Sequence, residues 1–265
     1  MLSDSLDAFN KALKLFQDKF PRPEWSDEFK RNLVNDFTFF SSIIEDAQLQ
    51  YGDTIKFLND QFIQAGKLKS LMEVANHKDV LSSLIDRFDE FSLTSDSIKD
   101  IHRDLMSDER LWEVDFKPHL VGEYRNIPAV GYREPEFPNK EYVPHYNIEM
   151  SMESYLGIFN NKFEQIDSET SETHLITIIA FFHNIFLNKI HPFADGNGRV
   201  ARIIMGTMLM KHNCPPIFVM ITSDEDRYKY ISTIIECEKR KNDLPLIEFL
   251  AKGMTEYLNK KNSSI

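Results

Sequence analysis

The sequence is short of several things, and each shortage excludes a class of protein. Only two of its 265 residues are cysteine, Cys214 and Cys237. Two thiols cannot build the multi-bridge framework of a small secreted domain, so a reduced, cytosolic setting is expected. Nine glycines and eleven prolines fall below the usual combined share of about 12%, too few for a turn-rich β architecture. Cations are in deficit, 31 Lys and Arg against 42 Asp and Glu, for a net charge of −11. A chain of that sign repels a phosphate backbone, so direct nucleic-acid binding is not expected. Long apolar runs are also missing. The longest stretch without a formal charge, residues 173–188, carries His174, His183 and Asn184 and is shorter than the roughly 20 residues of a membrane span, so it reads as a buried helix. The first twenty residues alternate Asp and Lys with apolar side chains and lack the uninterrupted core of a signal peptide. A soluble, cytoplasmic protein without a membrane segment is the expectation.

What is present points to helices. Apolar residues make up 42% and charged residues 28%, with 21 Phe available for a core, which is globular composition. Proline placement divides the chain. Between Pro23 and Pro118 there is none, and only Gly52 and Gly66 interrupt that span. Within it Phe29, Leu33, Phe37, Phe40 and Ile44 recur at intervals of three and four, the stripe of a helix opened by Ser26, Asp27 and Glu28. Further helices are expected over residues 54–64, 68–91 and 95–106, the last capped by Thr94 or Ser95. Five prolines then crowd between Pro118 and Pro144, and Gly122 to Tyr132 cannot be a regular helix. This stretch reads as a short hairpin or extended loop. Helical patterning returns over residues 148–160, 173–188, after Gly198, over 224–239 and over 245–258. The expected fold is all-α, with residues 1–93 as an N-terminal helical extension and 94–265 as the main helical domain.

One segment concentrates chemistry: His191-Pro192-Phe193-Ala194-Asp195-Gly196-Asn197-Gly198-Arg199-Val200-Ala201-Arg202. Gly196 and Gly198 let backbone N–H groups approach a ligand without a Cβ in the way. A helix starting near Gly198 would aim its unpaired amides and positive end at the same point, an anion site. Arg199 and Arg202, three apart, share a face of its first turn, and both carry forked donors suited to phosphate oxygens. Asp195 is a hard oxygen ligand of the kind magnesium takes beside substrate phosphates. His191 can accept a proton near neutral pH. Each residue alone is usually structural, a turn or a solvated charge. Chance must supply all of them within twelve residues.

The string resembles the signature of the Fic family, H-P-F-x-D/E-G-N-G-R-x-x-R, at every fixed position. Around it, Ala180 to Phe186 resembles the family's preceding helix, and Ile98 to His102 the helix before its flap. Gly122 to Arg125 followed by Ala129, Val130, Gly131 and Tyr132 resembles the flap hairpin. Arg227 to Ile231, with Tyr230 and Ile231 singled out, resembles the segment behind the nucleotide base. The resemblance implies a helical Fic-type core with a β-hairpin flap, and a protein adenylyltransferase using ATP and magnesium. In that reading His191 is the general base, Asp195 holds the metal, Gly196, Asn197 and Gly198 form the anion hole, and Arg199 and Arg202 take the outer phosphates. His183 and His102 are expected to be structural. The partner is a target protein offering a Ser, Thr or Tyr hydroxyl; a homo-oligomer is compatible.

Upstream, Ser41-Ser42-Ile43-Ile44-Glu45-Asp46 resembles the inhibitory helix pattern S/T-x-x-x-E-G/N of many relatives, with Asp46 replacing Gly or Asn. It implies that Glu45 pairs with Arg202 and keeps ATP misaligned. The same carboxylate could orient a water for removing AMP, giving a hydrolase or a bifunctional enzyme. A non-catalytic peptide-binding module, docking a strand on the flap, is the alternative outside enzymes, although His191 and Asp195 would then have no use.

Overall fold

The computed structural model describes residues 2–45, 50–58, 68–107, 120–131, 140–167, 170–217 and 219–263. Ten α-helices follow one another among them: α1 Leu2–Lys19, α2 Asp27–Glu45, α3 Tyr51–Leu58, α4 Leu68–Ile85, α5 Ser95–Leu105, α6 Ile148–Glu164, α7 Leu175–Asn184, α8 Asn197–Lys211, α9 Asp224–Arg240 and α10 Leu244–Ser263. The all-α expectation stands. Between α5 and α6 the described backbone holds a two-residue antiparallel ladder, β1 Val130–Gly131 against β2 Lys140–Glu141, in register Val130 to Glu141 and Gly131 to Lys140. Tyr132 lies outside the described residues. No described helix is long and apolar enough to cross a membrane.

The helices bury what their spacing dictates. α1, to which no helix was assigned from sequence, turns Leu6, Phe9, Ala12 and Phe16 inward at steps of three and four. It lies along α10, where the Asn262 amide donates to Ala12 O at 3.1 Å. α2 begins at Asp27 as expected and is buried at every position from Leu33 to Ile44 except Asp36, because α4 and α8 both pack on it. Gly206 of α8 makes that approach possible, since a Cβ there would stand 3.2 Å from the Phe37 ring and 3.1 Å from Pro216.

Boundaries differ from expectation where local bonding changes. α4 stops at Ile85 rather than 91, because the next amides switch to three-residue bonds, Arg87 to Leu84 O and Glu90 to Arg87 O. α5 starts as read: Thr94 Oγ1 accepts from the Ser97 amide at 3.1 Å, and Ser97 Oγ accepts from the Thr94 amide at 2.9 Å. The helix expected over 173–188 is capped by His174, whose Nδ1 accepts from the Ile176 amide at 3.1 Å. After Asn184 it loosens into a π turn, Ile185–Ile190.

One apolar core runs from Leu6 of α1 to Leu258 of α10, so the segments on either side of residue 93 share it. Phe9 is fully enclosed in this core, while Leu15 on the same helix is exposed. Phe9→Ala should therefore cost about 3–5 kcal/mol, and Leu15→Ala less than about 0.5 kcal/mol. Urea denaturation midpoints of the two variants check the difference.

Candidate active site

The π turn delivers His191. Its amide donates to Phe186 O, five residues back, at 2.8 Å, and its backbone is left-handed, φ 51°, an uncommon state for a side-chain-bearing residue and a frequent one at functional sites. His191 Nδ1 is 3.1 Å from Leu187 O. A carbonyl only accepts, so Nδ1 carries the proton and Nε2 keeps its lone pair. Burial lowers the imidazole from its ordinary 6.5 to about 4, which leaves it neutral and accepting at pH 7.

The loop that follows is held from inside. Asn197 spends its side chain on Phe193, accepting from its amide at 2.9 Å and donating to its carbonyl at 2.8 Å. Phe193 stacks face to face on His102 with centroids 3.9 Å apart. His102 Nδ1 accepts from the Gly122 amide at 2.9 Å, so Nε2 carries the proton toward Asp195 O at 3.2 Å. Gly196 is left-handed, φ 73°, and a Cβ there would meet Met106 Sδ at 2.8 Å. The first intrahelical bond of α8 runs from the Val200 amide to Gly196 O. The amides of Asn197, Gly198 and Arg199 precede it at the positive end of the helix.

The charged residues divide. Asp195 is 65% exposed, its Oδ2 stands 3.7 Å from Arg199, and its Oδ1 accepts from the Gly196 amide at 2.6 Å. Arg199 is buried, with Glu73 of α4 at 3.8 Å. Arg202 is only 1% exposed. Its Nε donates to Ser41 Oγ at 2.7 Å, and one terminal nitrogen donates to Ser41 O at 3.2 Å and Glu45 Oε1 at 2.5 Å. Burial raises the Glu45 carboxyl, but Arg202, Arg199 and Arg227 together pull it below its ordinary value, so it is ionised at pH 7. Gly198 leaves room for the pair, since a Cβ there would lie 2.8 Å from Arg202 and 3.1 Å from Glu45. Asp46 lies outside the described residues.

Residues 92–209 match the Fic/DOC family. This segment is a Fic domain. Two curated relatives are proteins named protein adenylyltransferase Fic. The one from Nematostella vectensis is 30% identical over 66% of this chain and 35% of its own length. The one from Drosophila melanogaster is 33% identical over 36% of this chain and 19% of its own. The chain thus spans about a third or less of these relatives. In fold it is similar to a Fic domain-containing signaling protein from Bacteroides thetaiotaomicron, with a TM-score of 0.77 at 22% identity over 95% of this chain and 94% of the other.

Two residues near the Fic signature, Tyr230 and Arg227, make contacts that the sequence alone did not suggest. Tyr230, expected near the nucleotide base, is buried with its hydroxyl 2.5 Å from His183 Nε2 and near Arg202. Burial pushes that hydroxyl up to about 12 and His183 down to about 3. Ile231 reaches solvent. Arg227, in the first turn of α9, donates from Nε to Ile44 O at 2.6 Å and so caps the C-terminus of α2; its place in the sequence gives no sign of that role. Ala129 is half-buried beside the β1–β2 ladder.

Burial fixes a pH dependence. His102 and His191 are lowered to about 4 and His183 to about 3, so the unfolded chain binds these protons near pH 6.5 while the native chain does not. Stability should be full above pH 6.5 and fall as the pH drops toward 4, by up to about 1.4 kcal/mol per pH unit per histidine. A urea midpoint unchanged between pH 7 and pH 5 would contradict this.

Proposed function

We propose that the chain transfers AMP from ATP to a hydroxyl of a target protein, with Glu45 holding the reaction in check. The observation that supports it most is the pose of His191. Its Nε2 keeps its lone pair, and in sequence it lies four residues before Asp195 and six before Asn197, where α8 begins, so an acceptor would stand near the positive end of a helix. A target Ser, Thr or Tyr hydroxyl gives its proton to Nε2 as its oxygen bonds to the α-phosphorus; the bond from that phosphorus to the bridging oxygen breaks, and pyrophosphate leaves. An imidazole near 4 is a weak base, but the incoming triphosphate's negative charge raises it, and the loose transition state of such transfers asks more for positioning and charge than for early proton removal. The amides of Asn197, Gly198 and Arg199, with the Arg199 guanidinium, meet the phosphate charge.

No described cluster of three or more His, Cys, Asp or Glu could hold a metal by itself. Asp195 fits a magnesium ion that takes its remaining oxygens from phosphates, because its carboxylate is exposed and faces the anion site's edge. When bound, that ion would supply positive charge shared between phosphate oxygens.

Arg202 is already engaged by α2. A phosphate needing that guanidinium would find Glu45 in its place, and a triphosphate displaced by about an ångström loses about a hundredfold in rate. The same carboxylate, ionised and 40% exposed, is also fit to take a proton from a water, which AMP removal would require. Release of AMP from a modified target by the wild type, lost in Glu45→Gly, would mark that activity.

Two outcomes are expected from labelled ATP. Glu45→Gly should raise self-labelling by one to two orders of magnitude, and adding Arg202→Ala should cancel the gain, because both changes act on one contact. Equal labelling by wild type and Glu45→Gly would reduce Glu45 to a structural carboxylate. His191→Ala should abolish transfer while ATP still binds within a few-fold of wild type; near-normal transfer would remove His191 from the reaction.

A further inference from the structure

The signature loop does not orient His191 alone. The Tyr142 ring, one residue past β2, lies on the imidazole with centroids 4.2 Å apart and planes 20° from parallel. On the Tyr142 ring sits Lys140 Nζ, 5.4 Å from its centroid, and Lys140 is in turn paired with Glu238 of α9. Beneath the stack is Arg125, 2% exposed and bonded to carbonyls: Nε donates to His191 O at 2.8 Å, one terminal nitrogen to Val143 O at 2.6 Å and Ile190 O at 3.2 Å, and the other to Ile127 O at 2.8 Å. Two backbone bonds complete the brace, Arg125 N–H to Pro192 O at 2.8 Å and Val143 N–H to Lys189 O at 3.0 Å. Both sides of the β1–β2 ladder are thereby tied to the peptide that carries His191.

We infer that Tyr142 is a positioning residue for His191: its ring holds the imidazole in the rotation that points Nδ1 at Leu187 O and Nε2 at the reacting hydroxyl. The proposal rests on the AMP-transfer reading for its consequence, not for its geometry. An imidazole can turn about its bond to Cβ, and a single 3.1 Å hydrogen bond to Leu187 is a soft restraint. A flat ring at stacking distance leaves it room to slide but not to tip. Arg125 fixes the left-handed backbone beneath, so ring and main chain are held from the same side. The charged groups around the imidazole are Arg125 and Lys140, which disfavour its protonation, and Asp195, which favours it. Tyr142 covers one face of the ring beside them. A target strand added to β1 or β2 would press on the element that sets the base.

The test uses full-length protein labelled with 15N-histidine, the His191 signals being identified by their loss in His191→Gln. Wild type and Tyr142→Phe should show one tautomer, protonated on Nδ1. Tyr142→Ala should show a mixture of tautomers and a ring that titrates closer to 6.5, with AMP transfer reduced about ten- to a hundredfold and ATP affinity within twofold. Tyr142→Leu, which keeps apolar cover without a flat face, carries the same test if Tyr142→Ala does not fold. An unchanged tautomer and titration in the Ala or Leu variant overturns the proposal, as does a changed tautomer with wild-type transfer. If no variant transfers AMP, with or without Glu45, but the tautomer shifts as described, the AMP-transfer reading fails and the positioning role stands.

Discussion

A guanidinium at the centre of a helical core has to be supplied with acceptors before anything can pack around it. Arg202 is such a group, and an isolated charge in its position would cost several kcal/mol. Its partners on α2 are Ser41 Oγ, Ser41 O and Glu45 Oε1. α8 therefore cannot bury its Arg202 face unless α2 is docked. The negative end of α2 lies toward Arg202 and Arg227, so the helix dipole adds to the match. The surrounding titratable groups follow from the same constraint. His183 and His77 are buried with Arg202 nearby, and both are lowered, first by burial and then by that cation. A neutral ring is the form a histidine can hold there.

The loop that carries the signature residues solves a different problem, which is to be held in place largely by side chains. Side chains do much of the holding, which on the proposed reading leaves backbone donors for a ligand. Asn197 returns both ends of its amide to Phe193, His102 bridges Gly122 and Asp195 O, and Arg125 gathers carbonyls from three segments. None of these uses the amides of Asn197, Gly198 or Arg199. The π turn belongs to the same solution, because widening the last turn by one residue sets Leu187 O under His191 Nδ1 while the chain reverses toward Asp195.

Much of this was legible in sequence, for identifiable reasons. Helices with strong three-and-four spacing or a polar cap, α2 and α5 among them, began where expected, since local signals and tertiary packing agree there. α4 overran its actual end because Phe88 and Phe91 continue the apolar spacing through a turn that is no longer α-helical. The chemistry of residues 191–202 was readable because it is contiguous. Tyr142, Arg125 and Arg227 were not, as their roles come from contacts with His191 and Ile44 across 49 to 183 positions, for which one sequence carries no period. Tyr230, placed near the nucleotide base by resemblance, is enclosed, and its hydroxyl meets His183, a contact 47 positions away that the sequence could not show.

On the proposed reading, inhibition and stability are one interaction, and this limits how release can happen. Simply withdrawing α2 would strip Arg202 of three acceptors at once, which the core could not sustain. Exchange is less costly. Ser41 can keep Nε and one terminal nitrogen while only the Glu45 carboxylate, already 40% exposed, swings out and a phosphate oxygen takes its bond. Water replaces the carboxylate's hydrogen bonds, and the guanidinium never stands unpaired. Only the last residue of a long buried helix would then need to move, and α2 would remain part of the core in both states. A target strand at the β1–β2 ladder acts on the other side, through Tyr142 and Arg125. The γ-phosphate position and the general base are thus governed from opposite faces of the same loop, and a productive complex requires both to be set.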